Sequence, residues 1–186
     1  KKNFKVAIIG LGYVGLPLYL LCLQKKIDVV GYDLNSKKID QLKNNSSYIV
    51  DVKNSDLKKY ESKKLFTMGK IKNINDRNLI VFCLPTPILK NKDPDMSYIK
   101  KALISMKDYI SDDTFLILES TVYPGATREI LGSFIKFKLK KKTGIEYGFS
   151  SERISPGQND KRKFKINYNS IPKVISGSSK KALNFI

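Results

Sequence analysis

The 186-residue sequence has no histidine and only two cysteines, Cys22 and Cys83. Without histidine, the side chain most often used as a general base near neutral pH is missing. Both cysteines sit inside apolar runs, Tyr19-Leu20-Leu21-Cys22-Leu23 and Ile80-Val81-Phe82-Cys83-Leu84. A free thiol in such a run behaves as a small buried hydrophobe, so neither reads as a metal ligand or a nucleophile. No apolar run approaches the roughly 18 residues that a membrane span needs. The N-terminus also lacks the charged, then apolar, then small layout of a signal peptide. The expectation is a cytoplasmic protein with no membrane partner. Arginine is scarce as well: Arg77, Arg128, Arg153 and Arg162 are the only ones, so the formal net charge of +18 is almost all lysine. The lysines are scattered along helical faces and are not interleaved with aromatics, which argues against a nucleic-acid surface. The densest cluster, Lys136-Phe137-Lys138-Leu139-Lys140-Lys141-Lys142, reads as the solvated end of a helix, favourable near the negative pole of its dipole. The positive field still draws small dianionic molecules towards the surface.

With no internal repeat or low-complexity linker, the length fits one domain with one sizeable core, residues 1–186. The run at 4–9 is apolar, β-branched and ends in glycines, as a buried parallel strand does. A helix over 13–24 follows, with Pro17 early enough for its missing N–H to be tolerated. A strand at 28–33 and a helix at 36–43 complete a β-α-β unit. Further strands are expected at 65–67, 79–84, 114–118, 146–150 and 173–176, and helices at 97–109, 126–138 and from 179 onward. The polar spans 44–64 and 158–170 resist placement. Strands alternating with helices predict an α/β fold, a doubly wound and mostly parallel Rossmann sheet with helices on both faces.

Gly10-Leu11-Gly12-Tyr13-Val14-Gly15 fits G-x-G-x-x-G, directly after the first strand and opening the first helix, where a dinucleotide loop belongs. In that motif the first glycine permits the tight turn, the second lets backbone approach a pyrophosphate, and the third lets helix pack closely on sheet. The helix N-terminus offers free N–H groups to the phosphates. Asp33 follows Gly15 by about 20 residues, at the end of the second strand, the spacing at which an acid accepts the ribose hydroxyls of NAD. A carboxylate there would repel a 2′-phosphate, so the reading is NAD over NADP. The alternative is a glycine turn that only joins strand to helix, with Asp33 as the N-cap of the second helix.

Four segments, taken in order, resemble the UDP-glucose and GDP-mannose dehydrogenase family over the whole length. They are the glycine loop with Leu16 and Pro17; Leu84-Pro85-Thr86-Pro87 with Pro94-Asp95-Met96-Ser97-Tyr98; Glu119-Ser120-Thr121-Val122-Tyr123-Pro124-Gly125; and Ser150-Ser151-Glu152-Arg153-Ile154-Ser155-Pro156-Gly157. The last segment and the Glu119 to Gly125 form look like the branch acting on UDP-N-acetylhexosamines, as does Lys173-Val174-Ile175-Ser176-Gly177. The resemblance implies cofactor contacts from Gly10, Leu11, Gly12, Tyr13, Val14, Gly15, Asp33, Lys38, Pro85, Thr86 and Thr121. It gives Thr121 a place in the active site, Glu152 the ordering of a water for hydrolysis, and Arg153 a substrate phosphate or sugar oxygen. An ordinary turn or helix cap is the other reading of Thr86. Ser151 stands where the family has proline, which leaves the backbone before Glu152 less restrained.

In such enzymes the C6 alcohol of a UDP-sugar is oxidised to a uronate in two steps, four electrons in all, for capsule or O-antigen polysaccharide precursors. NAD is the cofactor, and a cysteine traps the aldehyde between the two steps. The resemblance places that cysteine, an assisting lysine, a central helix and a UDP-binding domain beyond Ile186. The chain opens on Lys1 and stops inside what reads as a helix, so the expectation is a fragment, inactive alone, of a protein that forms a homodimer or higher oligomer through the central helix. Alternatives are a UDP-glucose 6-dehydrogenase, a hydroxyacid dehydrogenase sharing the loop and Asp33, and a non-catalytic NAD-binding regulatory module. The configuration of the N-acetylhexosamine stays open.

Overall fold

The computed structural model describes residues 4–64, 66–67, 74–151 and 172–186. Strands β1 (Lys5–Ile9), β2 (Asp28–Tyr32), β3 (Phe66–Thr67), β4 (Leu79–Phe82), β5 (Phe115–Leu118), β6 (Glu146–Ser150) and β7 (Ile175–Gly177) form one sheet in the order β3-β2-β1-β4-β5-β6-β7. The first six are parallel and β7 pairs antiparallel to β6. Apart from that edge strand, this is the 3-2-1-4-5-6 order of a dinucleotide-binding sheet. The connection reverses direction between β1 and β4, which opens a crevice at the carboxyl ends of the strands.

Alternation along each strand sends its apolar side chains to two cores. Val6, Ile8, Val29, Val81 and Ile117 pack on one face with α1 (Gly15–Gln24), α2 (Ser36–Lys43) and α3 (Asn54–Lys58), through Leu16, Tyr19, Leu23, Ile39, Leu42 and Leu57. Ala7, Ile9, Val30, Ile80, Phe82, Leu116 and Leu118 face the other way, onto Ile99, Leu103 and Met106 of α4 (Ser97–Met106) and Phe134 of α5 (Ser133–Lys138). Strands buried on both faces account for the unbroken runs Val6-Ala7-Ile8-Ile9 and Phe115-Leu116-Ile117-Leu118.

The predicted helix over 126–138 is split: Arg128–Gly132 form one π turn before α5 begins. Such a turn is invisible to a 3.6-residue periodicity. Gly132 lies where a Cβ would meet the Tyr147 hydroxyl of β6 at 2.9 Å, so helix and sheet touch closely there. The hard span 44–64 contains α3 and a short 3-10 turn, Glu61–Lys63; the span 158–170 lies outside the described residues. Ser179 caps the last helix, α6 (Lys180–Phe185), by accepting from Ala182 N–H. Among the described residues no helix is long and apolar enough to cross a membrane.

Candidate functional site

The crevice holds a cavity of about 800 Å³ lined by residues from the carboxyl ends of β1, β2, β4 and β5 and from α4. Its floor is apolar where Ile9, Cys83 and Leu84 meet. Gly10, Gly12, Tyr13, Val14, Asp33, Lys38, Pro85, Thr86 and Thr121 all line it. Folding thus brings together side chains from four strand ends.

Gly10 adopts φ +95°, and a Cβ there would collide with the carbonyl oxygen of Cys83, which follows β4. Only glycine accommodates both the left-handed turn and the adjacent strand end. At Gly15 a Cβ would collide with the Gly10 carbonyl oxygen, so helix α1 starts directly against the turn that precedes it. Gly12 is different, since nothing lies within 4 Å of its absent Cβ. It also lines the cavity. The first helical bond runs from Leu16 N–H to Gly12 O at 3.0 Å, and the N–H groups before it are those that a helix start leaves without an intrahelical partner. Leu11 lies beneath the loop, fully buried, and does not line the cavity.

Asp33 sits at the end of β2 with its carboxylate braced by backbone. Leu11 N–H donates to Oδ2 at 2.9 Å and Asn35 N–H to Oδ1 at 2.9 Å. Lys38 Nζ stands 3.7 Å from Oδ2. The N-cap of α2 is Asn35, whose side chain accepts from Lys38 N–H, so Asp33 does not cap that helix. The carboxylate ties the glycine loop to the end of β2 and lines the cavity, which fits the ribose end of a dinucleotide.

At the other end, the loops after β4 and β5 are stitched together. Thr86 Oγ1 donates to Thr121 O at 2.6 Å, and Ser120 Oγ accepts from Leu84 N–H at 2.9 Å. Thr86 therefore anchors the backbone of Thr121 across the two loops and does not cap a helix. Glu119, at the end of β5, is buried and also lines the cavity. It pairs with Lys173, just before β7. Sequence reasoning singles out neither as a site residue, although an acid directly after four apolar strand residues is a signal of a buried charge with a partner. Tyr48 is a further omission: from the hard span, it donates to Leu11 O at 2.5 Å.

Both cysteines are free and buried. Burial first, and the charge of Glu119 second, push the Cys22 thiol up to about 11, which keeps it protonated and unreactive at neutral pH. Cys83 also forms part of the cavity floor. Among the described residues no group of three His, Cys, Asp or Glu side chains is placed to hold a metal ion. Glu152 and Arg153 lie outside the described residues. Ser151 corrects an expectation: its N–H donates to Val174 O at 2.9 Å and its Oγ accepts from Val174 N–H at 3.0 Å. Proline can make neither bond, so serine restrains this backbone by pairing it to the residue before β7.

The chain is similar in sequence and fold to known proteins. The chain is 36% identical over 184 residues to a UDP-N-acetyl-D-glucosamine 6-dehydrogenase of Pseudomonas aeruginosa, covering 96% of the chain and 41% of the relative. It is 30% identical over 189 residues to a UDP-N-acetyl-D-mannosamine dehydrogenase of Pyrococcus horikoshii, covering 97% and 42%. A solved UDP-D-ManNAc dehydrogenase from Pyrococcus horikoshii superposes with a TM-score of 0.83 at 28% identity, over 98% of this chain and 43% of that one. The chain thus spans about two fifths of the length of the relatives it matches. Residues 4–183 match the family described as UDP-glucose/GDP-mannose dehydrogenase family, NAD binding domain. A sheet of dinucleotide-binding order, a glycine loop closed by Asp33 and a profile that runs almost from end to end lead to one conclusion: the chain belongs to the UDP-glucose/GDP-mannose dehydrogenase family, as its NAD binding domain.

Proposed function

We propose that this chain is the cofactor-binding half of a cytoplasmic UDP-N-acetylhexosamine 6-dehydrogenase that converts the C6 alcohol of its substrate to a carboxylate. The observation that carries the proposal is the cavity at the reversal between β1 and β4, with the glycine loop and Asp33 at one end and Thr86 and Thr121 at the other. NAD, when bound, supplies the hydride acceptor for each of the two oxidations. The loop N–H groups hold the pyrophosphate, Asp33 and Lys38 receive the adenosine ribose, and Pro85 and Thr86 flank the cofactor. Thr121, its backbone held by Thr86 at 2.6 Å, lies at the end of the cavity nearest the reacting carbon.

Glu152 orders the water that releases the acid, and Arg153 pairs with a substrate oxygen. The cysteine that traps the aldehyde and the lysine that assists it belong to the part of the enzyme carried by its longer relatives, together with the UDP pocket and a helix through which two copies pair. The 186 residues alone bind NAD without turnover. Support for an N-acetylated sugar comes from the Glu119 to Gly125 motif and from the names of the relatives.

The test is a panel of UDP-glucose and the UDP-N-acetylhexosamines offered, with NAD, to the protein carrying this chain and its catalytic half. NADH is counted per sugar. The expected result is two NADH per N-acetylhexosamine and little from UDP-glucose. One NADH per sugar, or a preference for UDP-glucose, would overturn the proposal. Calorimetry of the chain alone should show one NAD site, and sugar oxidation by the chain alone would overturn the division of labour.

A further inference from the structure

Leu11, in the glycine loop, is gripped at both ends of its backbone. Its N–H donates to Asp33 Oδ2 at 2.9 Å and its carbonyl accepts from the Tyr48 hydroxyl at 2.5 Å. Lys38 Nζ joins the two grips, 3.7 Å from Asp33 Oδ2 and 5.4 Å from the centre of the Tyr48 ring. Tyr48 is itself held firmly. It is carried by a short loop whose Ile49 and Val52 are buried in the core beneath α1 and α2, and Asn54 Oδ1 accepts from Ser47 N–H at 2.8 Å. Burial first, and Asp33 second, push the Tyr48 phenol above its usual value, so the hydroxyl remains a donor throughout the neutral range.

From this geometry we infer that Tyr48 is a positioning residue for the cofactor: it fixes the Leu11 carbonyl so that the following N–H groups of Gly12, Tyr13 and Val14 stay aimed into the cavity before any ligand arrives. A loop clamped only at Leu11 N–H can still rotate about the Leu11 and Gly12 dihedrals, and glycine resists that rotation least of all residues. With the carbonyl also fixed, the peptide between Leu11 and Gly12 has one orientation. The ordering cost is met on folding and is not charged to binding. Tyr48 does not itself line the cavity. Its influence passes through the loop, and so it bears on phosphate recognition and leaves adenosine recognition at Asp33 alone.

The inference rests on the NAD reading and is tested with Tyr48→Phe, which keeps the ring, its packing and its contact with Lys38 and removes only the hydroxyl. Binding of NAD, ADP-ribose and adenosine to the chain is measured by calorimetry, with a thermal melt of the same samples. Loss of one hydrogen bond predicts that NAD and ADP-ribose, which carry the pyrophosphate, both weaken about five- to tenfold. Adenosine, which has no phosphate, should change less than twofold. Amide exchange at Gly12, Tyr13 and Val14 should quicken. Equal weakening of all three ligands would indicate a general structural role and overturn the inference, and so would unchanged affinity for all three. If Tyr48→Phe fails to fold, Asn54→Ala serves instead, since it frees the loop carrying Tyr48 from an exposed position; the same split between ADP-ribose and adenosine is required. If the unaltered chain binds neither NAD nor ADP-ribose, the NAD reading itself fails, which is a distinct outcome.

Discussion

Gly10 and Gly12 of the loop have different structural reasons, and substituting each by alanine separates folding from binding. Gly12→Ala adds a methyl where nothing lies within 4 Å, at a residue outside the left-handed region. Folding stability should therefore move by no more than about 0.5 kcal/mol, any gain coming from the stiffer unfolded chain. Gly12 nevertheless lines the cavity, so an added methyl should crowd the pyrophosphate that the loop N–H groups would meet. Losing one or two charge-assisted hydrogen bonds at about 1.5–3 kcal/mol each weakens NAD by roughly 10- to 100-fold or more. Gly10→Ala acts in the opposite way. It forces a side chain into φ +95° and against the Cys83 carbonyl, whose carbon would be 3.0 Å away. Left-handed strain of about 1–2 kcal/mol and overpacking of about 1–3 kcal/mol add to a loss of roughly 2–5 kcal/mol. For a chain of this size that lowers Tm by on the order of 10 °C. Denaturant melts give the stability and calorimetry gives NAD affinity. A Gly12→Ala chain that binds NAD like the parent would refute the assignment of the loop to the pyrophosphate, and one that unfolds would refute the open space at Gly12.

Further outcomes follow from the buried groups. Cys22 has its thiol raised from 9.0 to about 11 in the folded chain, so its contribution to stability is complete below pH 9 and is lost as pH rises towards 11, where the unfolded thiol ionises first. The loss is about 2–3 kcal/mol; a Cys22→Ala chain should lack this component of the decline between pH 9 and 11 in denaturant melts, and an identical slope in both would contradict the assignment. Glu119 is buried whereas Lys173 is half exposed, so the two sides of their pair are unequal. Lys173→Met removes the cation beside a buried carboxylate and should cost about 3 kcal/mol, while Glu119→Gln leaves a lysine that reaches water and should cost about 1 kcal/mol; the reverse order in urea melts would show that the pair is not the main support of that carboxylate.

Much of the site is legible in the amino-acid sequence, because its cofactor end is local. Gly10 to Gly15 form a turn between a strand and the helix it starts, and Asp33 ends the next strand, so chain spacing alone brings them near one another. Thr86 and Thr121 are legible for a related reason, since each follows an apolar run and strand ends in such sheets collect at one edge. Partners that come from distant positions are not legible. Tyr48 lies in a polar span with no periodicity, and its bond to Leu11 exists only because Ile49 and Val52 are drawn into the core. Lys173 meets Glu119 across 54 residues, when β7 turns back antiparallel along β6. Ser151 reads as a loosened proline position along the chain, and only the approach of Val174 from across the sheet edge gives it a restraint of its own.

By itself, then, the sequence determined the strand and helix alternation, the doubly wound fold and the glycine loop with its acid, because hydrophobic period, glycine tolerance and short spacing are properties of the chain near each residue. Only the tertiary structure decided which face of each strand meets which helices, where the π turn interrupts the helix before β6, that Asn35 and not Asp33 caps α2, and which side chains brace the loop. Those depend on hydrogen bonds and burial between segments far apart in sequence, and such pairings exist only after the sheet has chosen its order.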